Sequence, residues 1–488
     1  MEEIVYYNSE GHGDDKNAAQ VNAFATSIHT QSHNYAFRQS SSYPHGSVIT
    51  GTSAGDRVFV ASRGKALINV YTWGKESPDQ RIPIPEQLTS LTLCPNSPNV
   101  YNEEYDVEND SNFPKFRLPY LLVGGGLSGK IYVWELNSGL LLCVKEAHYQ
   151  SVNVLKTTSD GSYLVSGGKD ARVLIWKIID LISFVKDDDK VIKPVQIISD
   201  NTLEITDIFI NNSIHQDSKI YTVSRDSTIR VYETTNFQLI STFIVGQQVE
   251  SIVVDSADRA IYLGLNNGNI RQINIYEPNP ATNVLEAKGG YGKVITLSED
   301  HQLTNTLTHH SPNPVTSLGL SLDGSLLVSG DSSGKITISD VLSKQIVKEL
   351  KELNSKITNI EVFSTHKNAL NQTIDKTSKA IPPFKRVISN KNPKEQDVVF
   401  QVGEDQEEQL FNIEEHLNRV SKESLYFQNL NGVNSEVVFA NDQQSNNGSN
   451  SNDGELVQEL QEKVTKLTKA YTDIRKLYED LYSEHTNQ

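Results

Sequence analysis

The chain has 488 residues, 37% hydrophobic and 22% charged, with a formal net charge of −17. That length holds one large closed domain with appendages, and the acidic balance argues against a principal phosphate-gripping role, because nonspecific nucleic-acid affinity comes from clustered Lys and Arg. No apolar run of about 18 residues predicts a membrane span, the start MEEIVYYNSEG lacks a basic, apolar leader, and two cysteines, Cys94 and Cys143, are too few for a disulfide framework; a cytosolic or nuclear protein with reduced thiols is expected.

Read from the N-terminus, residues 4–7 and 22–29 have the apolar character of strands, and HTQSHNYAFRQS resembles a turn and a next strand. ALINVYTW places a strand around Tyr71, and a polar, acidic insert fills residues 97–119. PYLLVGGGLSGKIYVWEL (119–136) is then a strand, a Gly-rich turn and a strand, and SDGSYLVSGGKDARVLIWK (159–177) repeats the arrangement. A charged insert at 186–194 precedes TIRVYET and NIRQINI, a longer insert spans 276–314, and SLDGSLLVSGDSSGKITISD (321–340) repeats the unit again. Asp160-Gly161 and Asp323-Gly324 are hairpin signals, and Gly129-Lys130, Asp170-Ala171, Asp226-Ser227, Gly268-Asn269 and Gly334-Lys335 each open the last strand of a unit.

One anchor per unit, at Tyr71, Trp134, Trp176, Tyr232, Ile273 and Ser339, gives spacings of 63, 42, 56, 41 and 66 residues. A period of roughly 40–45 residues with a Trp-plus-polar ending marks WD-repeat blades, and the longer spacings hold the inserts. Six anchors leave one blade to be made from both chain ends: residues 4–7 and 22–29 with 356–363 (KITNIEVF) and 397–402 (DVVFQV). The predicted fold is all-β, a seven-bladed WD-repeat β-propeller over residues 1–403, closed by both chain ends so that no sheet edge in the ring stays open. The inserts at 97–119 and 276–314 are expected as loops on a propeller face and are candidate partner sites.

In the most regular repeat, His148, Ser166, Asp170 and Trp176 stand where WD repeats carry a buried hydrogen-bond network, so a structural role is expected for them rather than catalysis. Blades ending in Tyr232-Glu233, Ile273-Asn274 and Ser339-Asp340 are expected to rely more on packing than on such a network. GGGLSGK (124–130) matches the start of a phosphate-binding loop, but Ile131 replaces the magnesium-binding hydroxyl and the following IYVWEL reads as strand, not helix. His309-His310, and His29 with His33, lack companion ligands and are expected in surface loops. With no nucleophile elbow and no metalloprotease helix, no enzyme, metal or cofactor is expected. A spread of Lys376, Lys379, Lys385, Arg386, Lys391 and Lys394 reads as a solvated loop, with an RNA-touching or nuclear-import patch as the alternative.

Beyond the propeller, residues 404–430 are expected as an amphipathic helix with Phe411, Leu417 and Val420 on its apolar side, and residues 431–454 as a flexible polar linker containing NDQQSNNGSNSNDG. Over 455–488, Val457, Leu460, Val464, Leu467, Tyr471, Ile474, Tyr478 and Leu481 follow an unbroken three-four alternation, which predicts a coiled-coil helix. Its apolar seam needs a cover: a second copy of the chain is the first expectation, another protein's helix or an intramolecular dock the second.

VNAFATSIHTQSHNYAFRQSSS, INVYTWGKE (68–76), LLVGGGLSGKIYVWELNSGLLL and the C-terminal helix together resemble the fungal WD-repeat pre-rRNA-processing family that is the third member of the IPI group, similar to the animal WD-repeat subunit of the same complex. The resemblance implies a non-enzymatic scaffold of the Rix-type complex in the nucleus, in nucleoplasm and nucleolus. It implies support of processing at the second internal transcribed spacer, maturation of the large ribosomal subunit (pre-60S), and a further role in DNA replication licensing on chromatin. The implied partners are Rix-type and IPI-group subunits, a giant AAA ATPase and a second copy through the C-terminal helices, with RNA contact indirect. The rival readings are a WD-repeat substrate receptor of a ubiquitin ligase, for which no adaptor-binding motif is found, and a scaffold of another nuclear complex.

Overall fold

Strands such as LLVGGG and AIYLGL are buried along their whole length, without the inside-outside alternation of a half-exposed sheet. A strand reads this way when both of its faces meet protein, and here each sheet is pressed between two others. The computed structural model describes residues 2–11, 21–29, 33–51, 56–94, 120–182, 192–211, 218–278, 284–297, 305–365 and 380–388, all in the first of the chain's two compact units, Met1–Gln406. The features expected at 97–119, 397–402, 404–430, 431–454 and 455–488 lie outside the described residues.

Seven antiparallel blades follow one another. Blade 1 is Ser47–Ile49, Arg57–Ala61, Leu67–Thr72 and Gln80–Pro83; blade 2 is Leu88–Cys94, Leu121–Gly126, Lys130–Glu135 and Leu141–Glu146. Blade 3 is Val152–Thr157, Tyr163–Gly168, Val173–Lys177 and Gln196–Ile198; blade 4 is Ile205–Ile210, Lys219–Ser224, Thr228–Glu233 and Leu239–Ile244. Blade 5 is Val249–Val254, Ala260–Leu265, Ile270–Asn274 and Thr306–Leu307; blade 6 is Val315–Leu320, Leu326–Asp331, Ile336–Asp340 and Ile346–Glu349. Blade 7 takes its inner strand, Ile357–Thr365, from far along the chain and its other three, Glu2–Ser9, Val21–Ser27 and His33–Arg38, from the start. Glu2–Ser9 pairs antiparallel with Ile357–Thr365, so both parts of the chain close the ring.

The fourth strand of the closing blade is His33–Arg38, paired antiparallel with Val21–Ser27, in the segment that read from the sequence as a turn and a next strand. One expectation needs correction. The anchors Tyr71, Trp134, Trp176, Tyr232, Ile273 and Ser339 all lie in third strands rather than last ones. Some outer fourth strands, such as Gln196–Ile198 and Thr306–Leu307, are short and partly exposed, and so give only a weak apolar pattern.

The core is divided into seven wedges, one at each joint between blades. Phe59, Val70, Leu91 and Trp134 fill the wedge between blades 1 and 2, Val154, Ile175, Ile208 and Tyr232 that between 3 and 4, and Ile4, Tyr6, Val58 and Tyr71 that between 7 and 1. The inner strands are also joined by a belt of hydrogen bonds. Thr89 donates to Val152 O, Asn153 to Ile205 O at 2.9 Å, Thr206 to Val249 O at 2.9 Å, Ser251 to Val315 O at 3.5 Å, Thr316 to Ile357 O at 2.7 Å and Asn359 to Ser47 O at 3.0 Å. The remaining joint, between blades 1 and 2, uses the Leu91 N–H to His45 O at 2.8 Å.

Close approach of neighbouring blades sets one position in the second strands. A Cβ on Gly125, Gly167, Gly264 or Gly330 would lie within 2.7–2.9 Å of Val152, Ile205, Val315 or Ile357, the first inner-strand residue of the next blade. Residues 380–388 form a strap after the ring has closed. Ile381 and Phe384 enter the wedge of blades 1 and 2, Trp134 donates to Lys385 O at 3.0 Å, and Gln80 bonds both polar groups of the Ile381 backbone.

Overpacking one of these joints tests the account. Gly330→Val forces a branched side chain against Ile357 and is expected to lower stability by about 1–3 kcal/mol, read as a fall in Tm in thermal unfolding of the full-length protein; an unchanged Tm argues against the close approach.

Candidate functional site

The structure brings His148, Ser166, Asp170 and Trp176 together. His148 lies in the connection from blade 2 to blade 3; its Nδ1 is 2.9 Å from Asp170 Oδ1 and its Nε2 is 3.0 Å from Ser166 Oγ. An Nδ1–H donated to the carboxylate leaves Nε2 to accept from the Ser166 hydroxyl. Trp176 Nε1 donates to the same hydroxyl oxygen at 3.4 Å. Asp170 also accepts the N–H groups of Tyr149 and Arg172 at 3.2 and 3.3 Å. Gly168 is required here because a Cβ would sit 2.4 Å from both Asp170 Oδ1 and His148 Nδ1. Burial pushes the Asp170 carboxyl up, but the hydrogen bond and charge of His148 with the two backbone donors reverse this and hold it below 3.8.

Blade 6 carries a second network, contrary to the expectation that the blade ending at Ser339 depends mainly on packing. His310 is buried, not in a surface loop: Nδ1 lies 3.1 Å from Asp331 Oδ2, and Nε2 lies 2.8 Å from Ser329 Oγ and 3.0 Å from Thr337 Oγ1. Thr337 supplies a hydroxyl where blade 3 has Leu174, and Asp331 reaches the imidazole from two residues after the serine instead of four. A signal for it was present, since His precedes Asp by 21 residues here and by 22 in blade 3, and precedes Ser by 19 and 18. In blade 4, Asp226 holds the Thr202 N–H and hydroxyl at 3.1 Å each and the Thr228 N–H at 3.1 Å, with Asn201 where blade 3 has His148.

Polar side chains of non-neighbouring blades meet as well. His45, ahead of the first strand of blade 1, has Nε2 3.4 Å from Asp207 Oδ1 on the inner strand of blade 4. Burial lowers the His45 imidazole despite Asp207, and burial raises the Glu361 carboxyl on the inner strand of blade 7. Cys94 and Cys143 are buried and form no disulfide, and burial, followed by the charge of Asp160, pushes Cys94 up to about 12. Among the described residues no three His, Cys, Asp or Glu side chains form a metal-ligand group, and no helix is long and apolar enough to cross a membrane.

The remaining sequence features take definite places. The GGGLSGK segment spans the end of the second strand of blade 2, the following turn and the first residue of the third strand. The described part of the 276–314 insert, up to Leu307, is corrected from a face loop to rim structure. Its Tyr276–Pro278 and Leu285–Ala287 form a hairpin, Lys293–Thr296 adds a parallel fifth strand to blade 4, and Thr306–Leu307 is the outer strand of blade 5. Outer strands are the free edges of a propeller, so extra chain length is absorbed there by further pairing. Of the six dispersed basic residues, Lys385 and Arg386 lie on the strap, and the others lie outside the described residues.

Ring closure, seven blades of four strands or, in blade 4, five, and the His–Ser–Asp networks define a WD-repeat β-propeller. Residues 139–177 and 301–340 match the family model described as WD domain, G-beta repeat, and these stretches end with the third strands of blades 3 and 6, the two that carry the histidine networks. Along its full length the chain is 41% identical to the pre-rRNA-processing protein IPI3 of Scheffersomyces stipitis, covering 99% of that protein. It is 40% identical to the Candida albicans protein of the same name over 99% of this chain and 98% of the relative, and 33% identical to the Saccharomyces cerevisiae one over 88% and 91%. The chain belongs to the IPI3 family of pre-rRNA-processing proteins.

The networks generate an acid-stability prediction. Asp170 and Asp331 both titrate below 3.8 in the folded protein, so their contribution is complete above that value and is lost as pH falls through the depressed values. Asp170→Asn with Asp331→Asn is expected to cost about 1–3 kcal/mol per site at neutral pH and to flatten the loss of stability below that value, measured by urea unfolding across a pH series.

Proposed function

We propose that this chain is a non-enzymatic scaffold subunit of the Rix-type complex in the nucleus, where it supports processing at the second internal transcribed spacer and maturation of the large ribosomal subunit. The observation that carries the reading is the full-length similarity to pre-rRNA-processing proteins, extending through the region after the propeller. A closed ring of seven wedge-packed blades suits such work, because it holds many loops in fixed relation without needing a reactive centre. The partners proposed are the Rix-type and other IPI-group subunits and the AAA ATPase of pre-ribosome remodelling, with contact to pre-ribosomal RNA made through them. The seam from Val457 to Leu481 would pair two copies.

Rapid depletion of the protein in growing cells is expected to raise spacer-containing precursor RNA on northern blots and to reduce free large subunits in sucrose gradients. Unchanged precursor levels after complete depletion overturn the assignment. Light scattering is expected to give a dimer for the full-length protein and a monomer for a chain ended after Gly454; a truncated chain that stays dimeric removes the seam from the pairing role.

A further inference from the structure

We infer that the cleft between blades 1 and 2 is a peptide groove closed by its own chain. The strap at residues 380–388 is its resident ligand, and a partner segment carrying an aliphatic residue, two prolines and an aromatic residue in that order competes for the site. The strap lies in the cleft as a bound peptide does. It belongs to no sheet, and its two fully engaged side chains, Ile381 and Phe384, are each 4% exposed, while Ala380, Pro383 and Lys385 beside them face solvent. Pro382 and Pro383 bring no N–H to a ladder, and their fixed φ keeps the segment extended before it docks, so little freedom is lost on docking.

The receiving side is built for such a segment. Tyr132 and Trp134 stack with ring centres 5.4 Å apart, and the Phe384 ring continues the stack at 5.8 Å from Trp134. The indole N–H of Trp134 donates to Lys385 O at 3.0 Å, and the Lys385 N–H donates to Gly139 O at 2.8 Å. Gln80 holds the Ile381 backbone with both ends of its amide, donating to the carbonyl at 3.0 Å and accepting from the N–H at 3.2 Å. Gly139, at φ +70°, makes room in the turn after the third strand of blade 2: a Cβ there would lie 2.7 Å from Pro383 O and 3.2 Å from Pro382 O. An aromatic-lined groove is a recurring means of recognising extended proline-rich segments, and here an indole donor is aimed at the segment's carbonyl.

The strap itself names the class of occupant. These hydrogen bonds all go to its main-chain atoms, so the groove reads an extended backbone and leaves Ile381 and Phe384 to specify sequence. The prolines fix the spacing between those anchors, and their carbonyls make the close approach to Gly139. A partner segment with the same order of residues meets every one of these contacts. Release of the strap leaves the ring closed, because closure is made by Glu2–Ser9 with Ile357–Thr365, but it uncovers Trp134 and detaches the following chain from blades 1 and 2. The inference needs the propeller and strap alone and holds whether or not the ribosomal reading does.

The test is fluorescence anisotropy of a labelled peptide with the strap sequence, AIPPFKRVI, added to the full-length protein. The wild type, with its groove filled, is expected to bind the peptide at least about tenfold more weakly than the double variant Ile381→Asp with Phe384→Asp, whose own strap cannot enter the apolar cleft. Adding Gln80→Ala to that variant is expected to lower its affinity about tenfold, and a peptide with Ala in place of the Phe is expected not to bind. Equal binding by wild type and double variant, no binding by a double variant whose circular dichroism matches the wild type, or indifference to Gln80→Ala overturns the inference. Hydrogen exchange on the wild type needs no variant to fold: the Lys385 N–H is expected to exchange at least about tenfold faster than the Val133 N–H inside blade 2, because the strap leaves while the ring stays closed. Matched protection of the two amides overturns it. Excess peptide is expected to leave the mass of the wild type in light scattering unchanged; a fall in mass assigns the groove to the strap of a second copy and overturns the inference as well.

Discussion

Everything in this molecule depends on packing one blade against the next around a closed circle. A twisted four-stranded sheet has two apolar faces and cannot bury both alone, so each blade uses two neighbours and the last must meet the first. The belt of Thr, Asn and Ser side chains to the next blade's first inner-strand carbonyl turns this non-directional contact into a fixed register. In blades 2, 3, 5 and 6 a glycine of the second strand lets the next blade approach closely. Because the ring is closed, a defect at one joint is carried by its neighbours.

Within that frame the blades differ in how they satisfy their interiors. Blades 3 and 6 use a histidine between a carboxylate and a serine, and they reach it with the carboxylate in two different positions along the turn. Blade 4 engages its aspartate through threonines. Blade 2 has no such network at its Trp134: the indole N–H is met by the strap, and Phe384 stacks on the ring at 5.8 Å. These are alternative answers to one requirement, that a buried donor or acceptor find a partner. None assembles an acid, a base and an open site as a reaction would require. They act on function indirectly, by fixing the rim loops from which exposed residues such as Tyr149 project.

The ring divides its labour between core and rim. The inner strands and wedges tolerate little change, while the loops and outer edges accept inserts, as the long segment between the third and fourth strands of blade 5 demonstrates by pairing with blade 4. Sequence length can therefore vary at the rim without altering the relation between blades. The strap adds a contact of the same kind, tying the chain that leaves the closed ring to the joint between blades 1 and 2.

The propeller, its count of blades and the six third-strand anchors were legible in the amino-acid order, because strands buried on both sides and Gly-Asp turns are local properties of a few consecutive residues. So were the residues of the blade 3 network, which keep a regular spacing. The shortest outer strands, Gln196–Ile198 and Thr306–Leu307, were not legible: they are partly exposed and defined by the strand they pair with. His33–Arg38 lies in the segment HTQSHNYAFRQS, which already read as a turn and a strand. The burial of His310 and the rim position of the 276–296 strands were also hidden, since each depends on contacts across blades. Local pattern alone thus determined that this chain forms a ring of repeated sheets; only the tertiary structure decided which strands close it, which polar groups it buries and which side chains it presents, because those outcomes depend on contacts between residues far apart in sequence.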